Sequence, residues 1–414
     1  MYEELYSYFT ANNLFHPSLH GYRKNRSTQT ALMQLYDRWV RAASDGKLSG
    51  TVLLDLSAAF DLVDPCILLE KLRLYRVNEA VLTWFDSYLR DRQQTVWIDN
   101  SFSDLLECEV GVPQGSNLGP LLFLIFYNDL PLHLSCDIEA YADDSTMTSV
   151  GLTVEEISST LTENCGKVSR WMVSNRLRLN ASKTHVLTLG TGRRLQLQTE
   201  KVNVWMDGLL LDESESKDEM LLGCVISSNL KWHNHVLEVI KKLKGRLFVL
   251  QKIRNIVPSH LKKTIVEGLF LSVLNYCLPL YGGCGEGDLN DLQVLQNRAA
   301  RLITNSTGRV PRKEVFDEIH WMTVRQLIFY QTALTTFRIR ESCEPEYLAR
   351  LMTNDNTRGN IIVPNTRLSL AQKSYCFRAS EQWNSLPSTI RNLKSKQSFK
   401  AELKKWVFQN VEAF

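Results

Sequence analysis

The spacing of apolar residues changes near residue 230, and this change limits the folds open to the chain. Before it, short apolar runs typical of buried strands alternate with stretches of helical periodicity. After Lys231 the strand patterns fade, and one apolar stripe at helical spacing takes over, made of Val236, Ile240, Leu243, Leu247 and Leu250. We therefore predict an α+β region followed by a helical region, with a weaker boundary near residue 342.

Local patterns locate several elements. Helices are predicted over 27–43, 65–75, 79–91 and 118–130 and from about Val154 to Asn175. Strands are predicted over 51–56, 93–99, 105–110, 184–190, 202–206 and 220–226. Residues 137–150 have the pattern of a strand, a turn and a strand, and the polar pair Asp143-Asp144 forms the turn.

Charge and cysteine usage exclude several classes of protein. The formal net charge is only +3 over 414 residues, so a nucleic-acid surface would need a local concentration of Lys and Arg. The 9 cysteines are scattered without a C-x-x-C pair, which argues against a zinc site and against disulfides. We find no signal peptide and no apolar run long enough for a membrane span. An intracellular location is expected, and the nucleus and the cytoplasm are both compatible with it.

Acidic residues stand where apolar strands end. Asp55 ends one strand pattern, and Asp143 and Asp144 lie between two others. A charge at such a position is costly unless it is paired or bound to metal. In one interpretation Asp55 only caps the next helix and the Asp pair is only a turn. In the other, the three carboxylates hold two divalent cations about 3.5–4 Å apart, which activate a 3′-hydroxyl and stabilise a leaving pyrophosphate.

Three segments in fixed order carry a family resemblance. TVLLDLSAAFDLVDP, GVPQGSNLGPLLFLIFYNDLP and YADD resemble motifs A, B and C of reverse transcriptases from non-LTR retrotransposons, especially the jockey-like and chicken-repeat-like long interspersed elements. The likeness continues in HGYRKNRSTQTAL upstream, in LRLNASKT and LLGCVISSNLKW downstream, and in the C-terminal EQWNSLPSTIRNLKSKQSFKAELKKWVF. It implies an RNA-directed DNA polymerase that binds an RNA template, a DNA primer and dNTPs.

The resemblance assigns the metal site. Asp55 and Asp143 would ligate metal directly, Leu56 would offer its backbone carbonyl, and Asp144 would support the site. The expected cofactor is two Mg²⁺ ions, with Mn²⁺ as the alternative. Lys183 matches a lysine that would protonate the leaving pyrophosphate, although a solvated turn lysine is the other interpretation.

The resemblance also assigns the nucleotide site. Phe60, five residues after Asp55, would exclude a 2′-hydroxyl, although a core aromatic is the alternative. Asp61 is expected to be structural, whereas Gln114 and Gly115 would approach the nucleotide or the template. An aliphatic residue is usual where Asn117 stands, and Phe is usual in place of Tyr22. The remaining predicted nucleotide ligands form a basic cluster that could instead be a solvated loop: Arg23, Lys24 and Arg26.

Two further segments are implied to hold the nucleic acid. Leu222 and Gly223 match a primer-gripping hairpin. The following helix would contact the phosphates of a hybrid duplex without sequence preference, or would simply present a solvated basic face. Its predicted duplex contacts are Lys241, Lys242, Lys244 and Arg246. His233 and His235 have no cysteine partners at metal spacing, so no zinc site is expected.

The implied architecture is an α+β right-hand polymerase with an antiparallel-sheet palm. Residues 1–48 would be partial fingers, 49–230 the palm with finger insertions, 231–340 a helical thumb and 341–414 a C-terminal extension with Trp383 and Trp406 in its core. The reverse transcriptase domain itself would span about 1–226. Because members of this family usually carry more finger residues before HGYR, the chain would be a truncated gene copy, a fragment of a longer open reading frame or a host-retained remnant. A decayed element product that binds RNA without catalysis is the alternative function.

Overall fold

The computed structural model describes residues 1–56, 58–180, 183–211, 217–306, 308–353 and 360–410. Its contacts divide the chain into two compact units. Unit 1 comprises Met1–Ala31, Lys47–Thr188 and Gln196–Glu215. Unit 2 comprises Leu32–Gly46, Leu189–Leu195 and Ser216–Phe414. The predicted division into fingers, palm, thumb and extension is a finer one and stays a prediction.

The α-helices and strands of the described residues are as follows; a 3-10 helix (Leu130–His133) and a π-helix (Glu267–Leu271) are also present. The helices are α1 (Tyr2–Ala11), α2 (Thr28–Ser44), α3 (Pro65–Leu74), α4 (Glu79–Leu89), α5 (Gly119–Tyr127), α6 (Val154–Ser174), α7 (Gly192–Gln196), α8 (His233–Ile253), α9 (Ser259–Val266), α10 (Ser272–Asn275), α11 (Leu278–Tyr281), α12 (Glu286–Thr304), α13 (Arg312–Ile319), α14 (Val324–Ser342), α15 (Glu346–Met352), α16 (Ser369–Gln372), α17 (Tyr375–Ser385), α18 (Ser388–Arg391) and α19 (Lys396–Gln409). The strands are β1 (Leu48–Leu54), β2 (Arg92–Gln94), β3 (Trp97–Ile98), β4 (Ser101–Phe102), β5 (Leu106–Cys108), β6 (Asp137–Tyr141), β7 (Asp144–Gly151), β8 (His185–Leu189), β9 (Trp205–Met206), β10 (Leu209–Leu210), β11 (Asp218–Leu221) and β12 (Cys224–Ser227).

Unit 1 is built around a four-stranded sheet with the order β6-β7-β1-β8. The strand β7 pairs antiparallel with both β6 and β1. Successive residues of a strand point to opposite faces, and β1 is buried almost without interruption, so both of its faces are covered. The apolar run that predicts β1 therefore reflects burial on two sides.

The helix α6 packs on β1 and β7. Its start follows from the sequence, because the side chain of Thr153 accepts a hydrogen bond from Glu156 N–H. A methyl group on Gly50 would lie 2.3 Å from the Ile157 side chain, so glycine in β1 is what lets this helix approach the sheet. The other central helix, α5, is buried on all sides, as its unbroken apolar sequence predicts.

Two segments form strands whose bounds differ from the predicted ones. Residues 92–108 form an arm in which β2 pairs with β5 and β3 pairs with β4 around the turn Asp99-Asn100, so the return strand begins before residue 105. Residues 220–226 are not one strand. They form the hairpin of β11 and β12, because Leu222 and Gly223 both take positive φ values that suit a two-residue turn.

Unit 2 contains the helical region. The predicted apolar stripe of α8 is buried in full, and α8 packs against α12 and β12. Farther along the chain, α14 packs against α15, α17 and α19. Trp383 is buried as predicted, whereas Trp406 is only half-buried and contacts the Phe329 ring at 5.3 Å between centroids. The predicted α+β class is confirmed, and no described helix is both long and apolar enough to cross a bilayer.

Candidate active site

The sequence YADD forms the tight turn between β6 and β7. Tyr141 pairs with Asp144 across the hairpin, so Ala142 and Asp143 are the two turn residues. Ala142 takes a φ of 58°, a left-handed value that costs roughly 1–2 kcal/mol for a residue with a side chain. Both aspartates are exposed. Backbone strain beside exposed acids is a feature that clusters at functional sites.

Strand register places Asp55 beside this turn. In the antiparallel pair of β1 and β7, Leu54 lies opposite Ser145, so Asp55 and Asp144 follow at neighbouring strand ends. The main chain of Asp55 is held by a hydrogen bond that its carbonyl accepts from Asn180 N–H at 2.9 Å. Acids far apart in the sequence are therefore brought together by the sheet.

The carboxylates interact electrostatically. Burial, and then the negative charges of Asp143 and Asp55, raise the pKa of Asp144. A divalent cation would relieve this repulsion, and hard carboxylate oxygens suit Mg²⁺, so the donor set fits the implied metal. Among the described residues, however, no three His, Cys, Asp or Glu side chains are placed so that together they could hold a metal ion. Leu56, the predicted carbonyl ligand, forms an isolated bridge with Leu179.

Phe60 contacts two other aromatic rings and is half-buried. It stacks on Phe123 of α5, with 4.5 Å between centroids, and it meets the ring of Tyr22 edge-on at 6.1 Å. Its carbonyl accepts a hydrogen bond from Val112 N–H at 2.9 Å. Phe60 thus contributes to packing and keeps part of its ring accessible, which is compatible with both predicted interpretations.

The loop before α5 is tied to the loop after β1. Gln114 donates a hydrogen bond from Nε2 to Asp61 Oδ1 at 2.6 Å, so Asp61 has a structural contact. A methyl group on Gly111 would lie 2.8 Å from the Asp61 carbonyl, and this close approach requires glycine. Gly115 has a φ of 79° with open space in front of it, so its conformation rather than crowding favours glycine there.

Lys183 lies at the edge of the carboxylates. Its Nζ is 4.0 Å from Asp55 Oδ2, and the side chain is mostly exposed. Such an exposed pair adds little stability, so the lysine is free to serve another anion. The structure therefore brings Lys183 to the predicted site, although its role as a proton donor stays a prediction.

The basic cluster of the N-terminal loop makes local contacts. The guanidinium groups of Arg23 and Arg26 both donate hydrogen bonds to carbonyl oxygens of residues 16–19. Lys24 pairs with Glu3 at 3.2 Å and lies over an aromatic ring. These contacts give the cluster a structural role in shaping the loop, and nucleotide binding by these three residues stays a prediction.

The predicted primer-gripping hairpin lies in unit 2. The Leu222 carbonyl accepts a hydrogen bond from the Tyr276 hydroxyl at 2.7 Å. A methyl group on Gly223 would lie 3.1 Å from the Tyr276 ring. Tyr276, which sequence patterns did not single out, therefore supports the backbone of the hairpin turn.

The helix α8 presents its predicted basic residues to solvent. Lys241, Lys242, Lys244 and Arg246 are all exposed, opposite or beside the buried stripe. Among the ion pairs of the described residues, Lys241 pairs with Glu238 at 3.6 Å within the same helix. A surface of this kind has the charge needed to meet phosphates.

Residues 2–237 match the model of the family described as reverse transcriptase (RNA-dependent DNA polymerase). The match spans more than half of the 414 residues and includes all three motifs. The chain belongs to the reverse transcriptase family. This confirms the family predicted from the motifs and their order.

Curated relatives within reverse transcriptases come from Drosophila. The chain is 27% identical over 334 residues to the probable RNA-directed DNA polymerase from transposon BS of Drosophila melanogaster. The aligned region covers 77% of this chain and 36% of the relative. It is 25% identical over 309 residues to the RNA-directed DNA polymerase from mobile element jockey of the same species, covering 71% of this chain and 32% of the relative. The predicted likeness to the jockey-like branch is confirmed. The chain spans about a third of the length of these relatives.

Two solved structures with which the chain can be superposed are telomerases. One is telomerase from Candida albicans in complex with a TWJ fragment of telomeric RNA, with a TM-score of 0.41 and 12% identity over 98% of this chain and 57% of that chain. The other is apo telomerase from Candida tropicalis, with a TM-score of 0.43 and 10% identity over 98% of this chain and 60% of that one.

The segment that precedes the basic cluster supports the acidic turn, which sequence patterns did not reveal. His20 N–H donates to the Ala140 carbonyl at 2.8 Å, and Ala140 N–H donates to the Ser18 carbonyl at 2.9 Å, so this segment pairs with β6. His20 also bonds to Glu139 at 2.7 Å, and both side chains are buried. Only strand pairing across more than 100 residues brings these groups together.

Gly21 lies against the backbone of the acidic turn, and replacing it with Ala should disturb that turn. The added methyl group would lie 2.5 Å from the Ala142 nitrogen. We expect the melting temperature to fall by a few degrees, because overpacking costs about 1–3 kcal/mol. We expect nucleotide addition to slow by roughly 10- to 100-fold, because small displacements at a reacting centre are costly.

Gly166→Ala is the matched control for Gly21→Ala. Its methyl group would lie at an ordinary 3.6 Å from the end of the Arg170 side chain, within α6. Single-nucleotide addition should therefore stay near the wild-type rate, and the melting temperature should stay the same or rise slightly, because alanine suits a helix interior better than glycine. Equal loss in both glycine variants would show that Gly21 has no special relation to the turn.

Proposed function

We propose that this chain is the polymerase core of an RNA-directed DNA polymerase from a non-LTR retrotransposon. It would add dNTPs to the 3′-hydroxyl of a DNA primer paired with an RNA template. The observation that supports this proposal most directly is the β1–β7 register, which sets Asp55 beside the Asp143-Asp144 turn. Family membership of residues 2–237 supports it independently.

The acidic residues would hold the cations. Asp55 and Asp143 would bind two Mg²⁺ ions directly, with Asp144 in support and the Leu56 carbonyl as a further ligand. When bound, the ions lower the barrier by activating the 3′-hydroxyl and neutralising charge on the phosphates. The strained turn at Ala142 holds the backbone of Asp143 in place before any ligand arrives. Rotation of the exposed carboxylates, rather than backbone movement, would complete the site.

Other residues would position the substrates. Lys183, close to Asp55, would supply a proton to the leaving pyrophosphate. Gln114 and Gly115 would lie along the incoming nucleotide, and the Leu222-Gly223 turn would hold the primer end. The exposed lysines of α8 and Arg246 would bind duplex phosphates without regard to sequence. The palm would then correspond to the sheet of unit 1, and the thumb would begin with α8.

Primer extension on an RNA template tests the proposal. The full chain, a DNA primer annealed to RNA, dNTPs and Mg²⁺ should give extension that stops when EDTA is added. The mixture without the RNA template is the negative control. Failure of the wild-type chain to add even one nucleotide with enzyme in excess would refute polymerase activity and favour an RNA-binding product that does not catalyse.

Replacing Phe60 with Val should weaken selection against ribonucleotides. The smaller side chain makes room for a 2′-hydroxyl, whereas contacts to the rest of the nucleotide are unchanged. We expect the preference for dNTP over NTP to fall by roughly 10- to 100-fold while dNTP use falls only a few-fold, a difference of about 1.4–2.7 kcal/mol in transition-state binding. Single-nucleotide addition with each nucleotide type measures this ratio. An unchanged ratio would mean that Phe60 serves packing alone.

A further inference from the structure

Tyr22 combines features that seldom occur together. The side chain is large and aromatic, yet 44% of it is exposed. Its backbone has a φ of 55°, in the left-handed region that residues with bulky side chains rarely adopt. Strain at an exposed aromatic points to a constraint beyond folding.

Neighbouring residues hold Tyr22 in this conformation. On one side, Gly21 packs so closely on Ala142 that no side chain would fit between them. On the other side, Lys24 N–H donates to the Tyr6 hydroxyl at 2.8 Å, and the Arg23 guanidinium donates to carbonyl groups of the preceding segment. The loop is therefore fixed at both ends of Tyr22, and the strain persists because the surrounding contacts outweigh it.

The Tyr22 side chain contacts Phe60 and lies near Asp143. The two rings meet edge-on, with 6.1 Å between centroids and 88° between planes. Phe60 also stacks on Phe123, which is buried and cannot move without disturbing α5. Burial, and then the negative charge of Asp143, raise the pKa of Tyr22.

We propose that Tyr22 is a positioning residue that holds Phe60 in place for sugar selection. This rests on the proposed function, because it assumes that Phe60 excludes the 2′-hydroxyl. Phe123 stacks on the Phe60 ring, and the edge-on contact with Tyr22 limits how far that ring can swing. If one of these two contacts is removed, the Phe60 ring can shift and admit a ribose. With both contacts in place, the ring stays where it excludes the 2′-hydroxyl.

The test compares Tyr22→Ala and Tyr22→Phe with the wild-type full chain. Single-nucleotide addition is measured with dNTP and with NTP. Tyr22→Ala should lower the preference for dNTP by roughly 3- to 10-fold, the range that an aromatic ring pair is worth. Tyr22→Phe should keep the preference, because the ring and not the hydroxyl supports Phe60. In Phe60→Val, adding Tyr22→Ala should change the preference no further.

Trp84→Ala is the matched control, because Trp84 is an aromatic of similar exposure, 42%, which contacts Phe85 and Tyr88 instead. A purely structural role for Tyr22 would slow dNTP and NTP addition equally and leave their ratio unchanged, which would overturn the proposal. If Phe60→Val changes the ratio and Tyr22→Ala does not, this proposal alone fails. If Phe60→Val leaves the ratio unchanged in an active enzyme, the proposed role of Phe60 fails with it.

A stability measurement tests the contact without any need for activity. Melting temperatures are compared for the wild type, Tyr22→Ala, Phe60→Ala and the double variant. If Tyr22 supports Phe60, the double variant should lose less than the sum of the two single losses, because the second substitution removes a contact that is already gone. Strictly additive losses would show that the two rings do not support each other and would overturn the proposal.

Discussion

Asp143→Asn should lower the rate of nucleotide addition by on the order of 1,000-fold. The substitution keeps the shape of the side chain and therefore of the strained turn, but it removes the charge that would bind a divalent cation. Metal ligation contributes several kcal/mol to barrier lowering, and each tenfold in rate corresponds to about 1.4 kcal/mol. Binding of a primed RNA template should stay within a few-fold of the wild type. Rapid-quench nucleotide addition and a filter-binding assay measure the two quantities.

Asp104→Asn is the matched control for Asp143→Asn. It also removes one exposed carboxylate from unit 1, but from the arm formed by β2 to β5. Its rate should stay close to that of the wild type. An Asp143→Asn enzyme that adds nucleotides within about fivefold of the wild-type rate would show that the turn does not bear the catalytic metal ligand.

Metal binding has a second readout that does not depend on catalysis. Burial, and then the charges of Asp143 and Asp55, raise the pKa of Asp144, so the ionised site is unfavourable without a cation. A group with a raised carboxyl pKa weakens the folded state as pH rises through its unfolded pKa. Adding Mg²⁺ at neutral pH should therefore raise the melting temperature of the wild type, and it should raise that of Asp143→Asn much less.

Local sequence patterns predicted much of the fold because they record burial directly. The unbroken apolar run of β1 and the stripe of α8 are each buried as expected. The proximity of Asp55 to the acidic turn also follows from patterns, once both are recognised as strand ends. What could not be predicted depends on backbone approach between distant segments. Nothing local to Gly21 shows that it packs against Ala142, more than 100 residues away.

The basic cluster illustrates the same limit for side chains. A run of arginines and lysines has the composition of a phosphate site, but the same donors can satisfy the carbonyl groups of an irregular loop. Arg23 and Arg26 do the latter, because residues 16–19 leave carbonyl oxygens within their reach. Composition does not distinguish the two uses. The basic residues of α8 are different, because the helix satisfies its own backbone and all four side chains are exposed, Lys241 with an ion pair to Glu238 in the same helix.

Replacing Lys241, Lys242, Lys244 and Arg246 together with Ala should change the salt dependence of duplex binding. Each phosphate contact contributes about 0.9 to the slope of log affinity against log salt concentration. Loss of four contacts should make the slope shallower by about 3–4. Between 50 and 200 mM salt the wild type should then lose roughly 100-fold more affinity for an RNA–DNA duplex than the variant does. Fluorescence anisotropy with a labelled duplex measures the slope.

A control variant with the same loss of charge distinguishes direct contact between α8 and the phosphates from attraction by the net charge of the protein. Lys396, Lys400, Lys404 and Lys405 are exposed on α19, and replacing them with Ala also lowers the net charge by four. If α8 touches the phosphates, only its own variant should change the slope, because counterions are released where the protein meets the duplex. A shift of equal size in both variants would mean that the protein attracts the duplex through its total charge. Wild-type slopes in both would place the duplex on another surface, and the assignment of α8 as the start of the thumb would then be wrong.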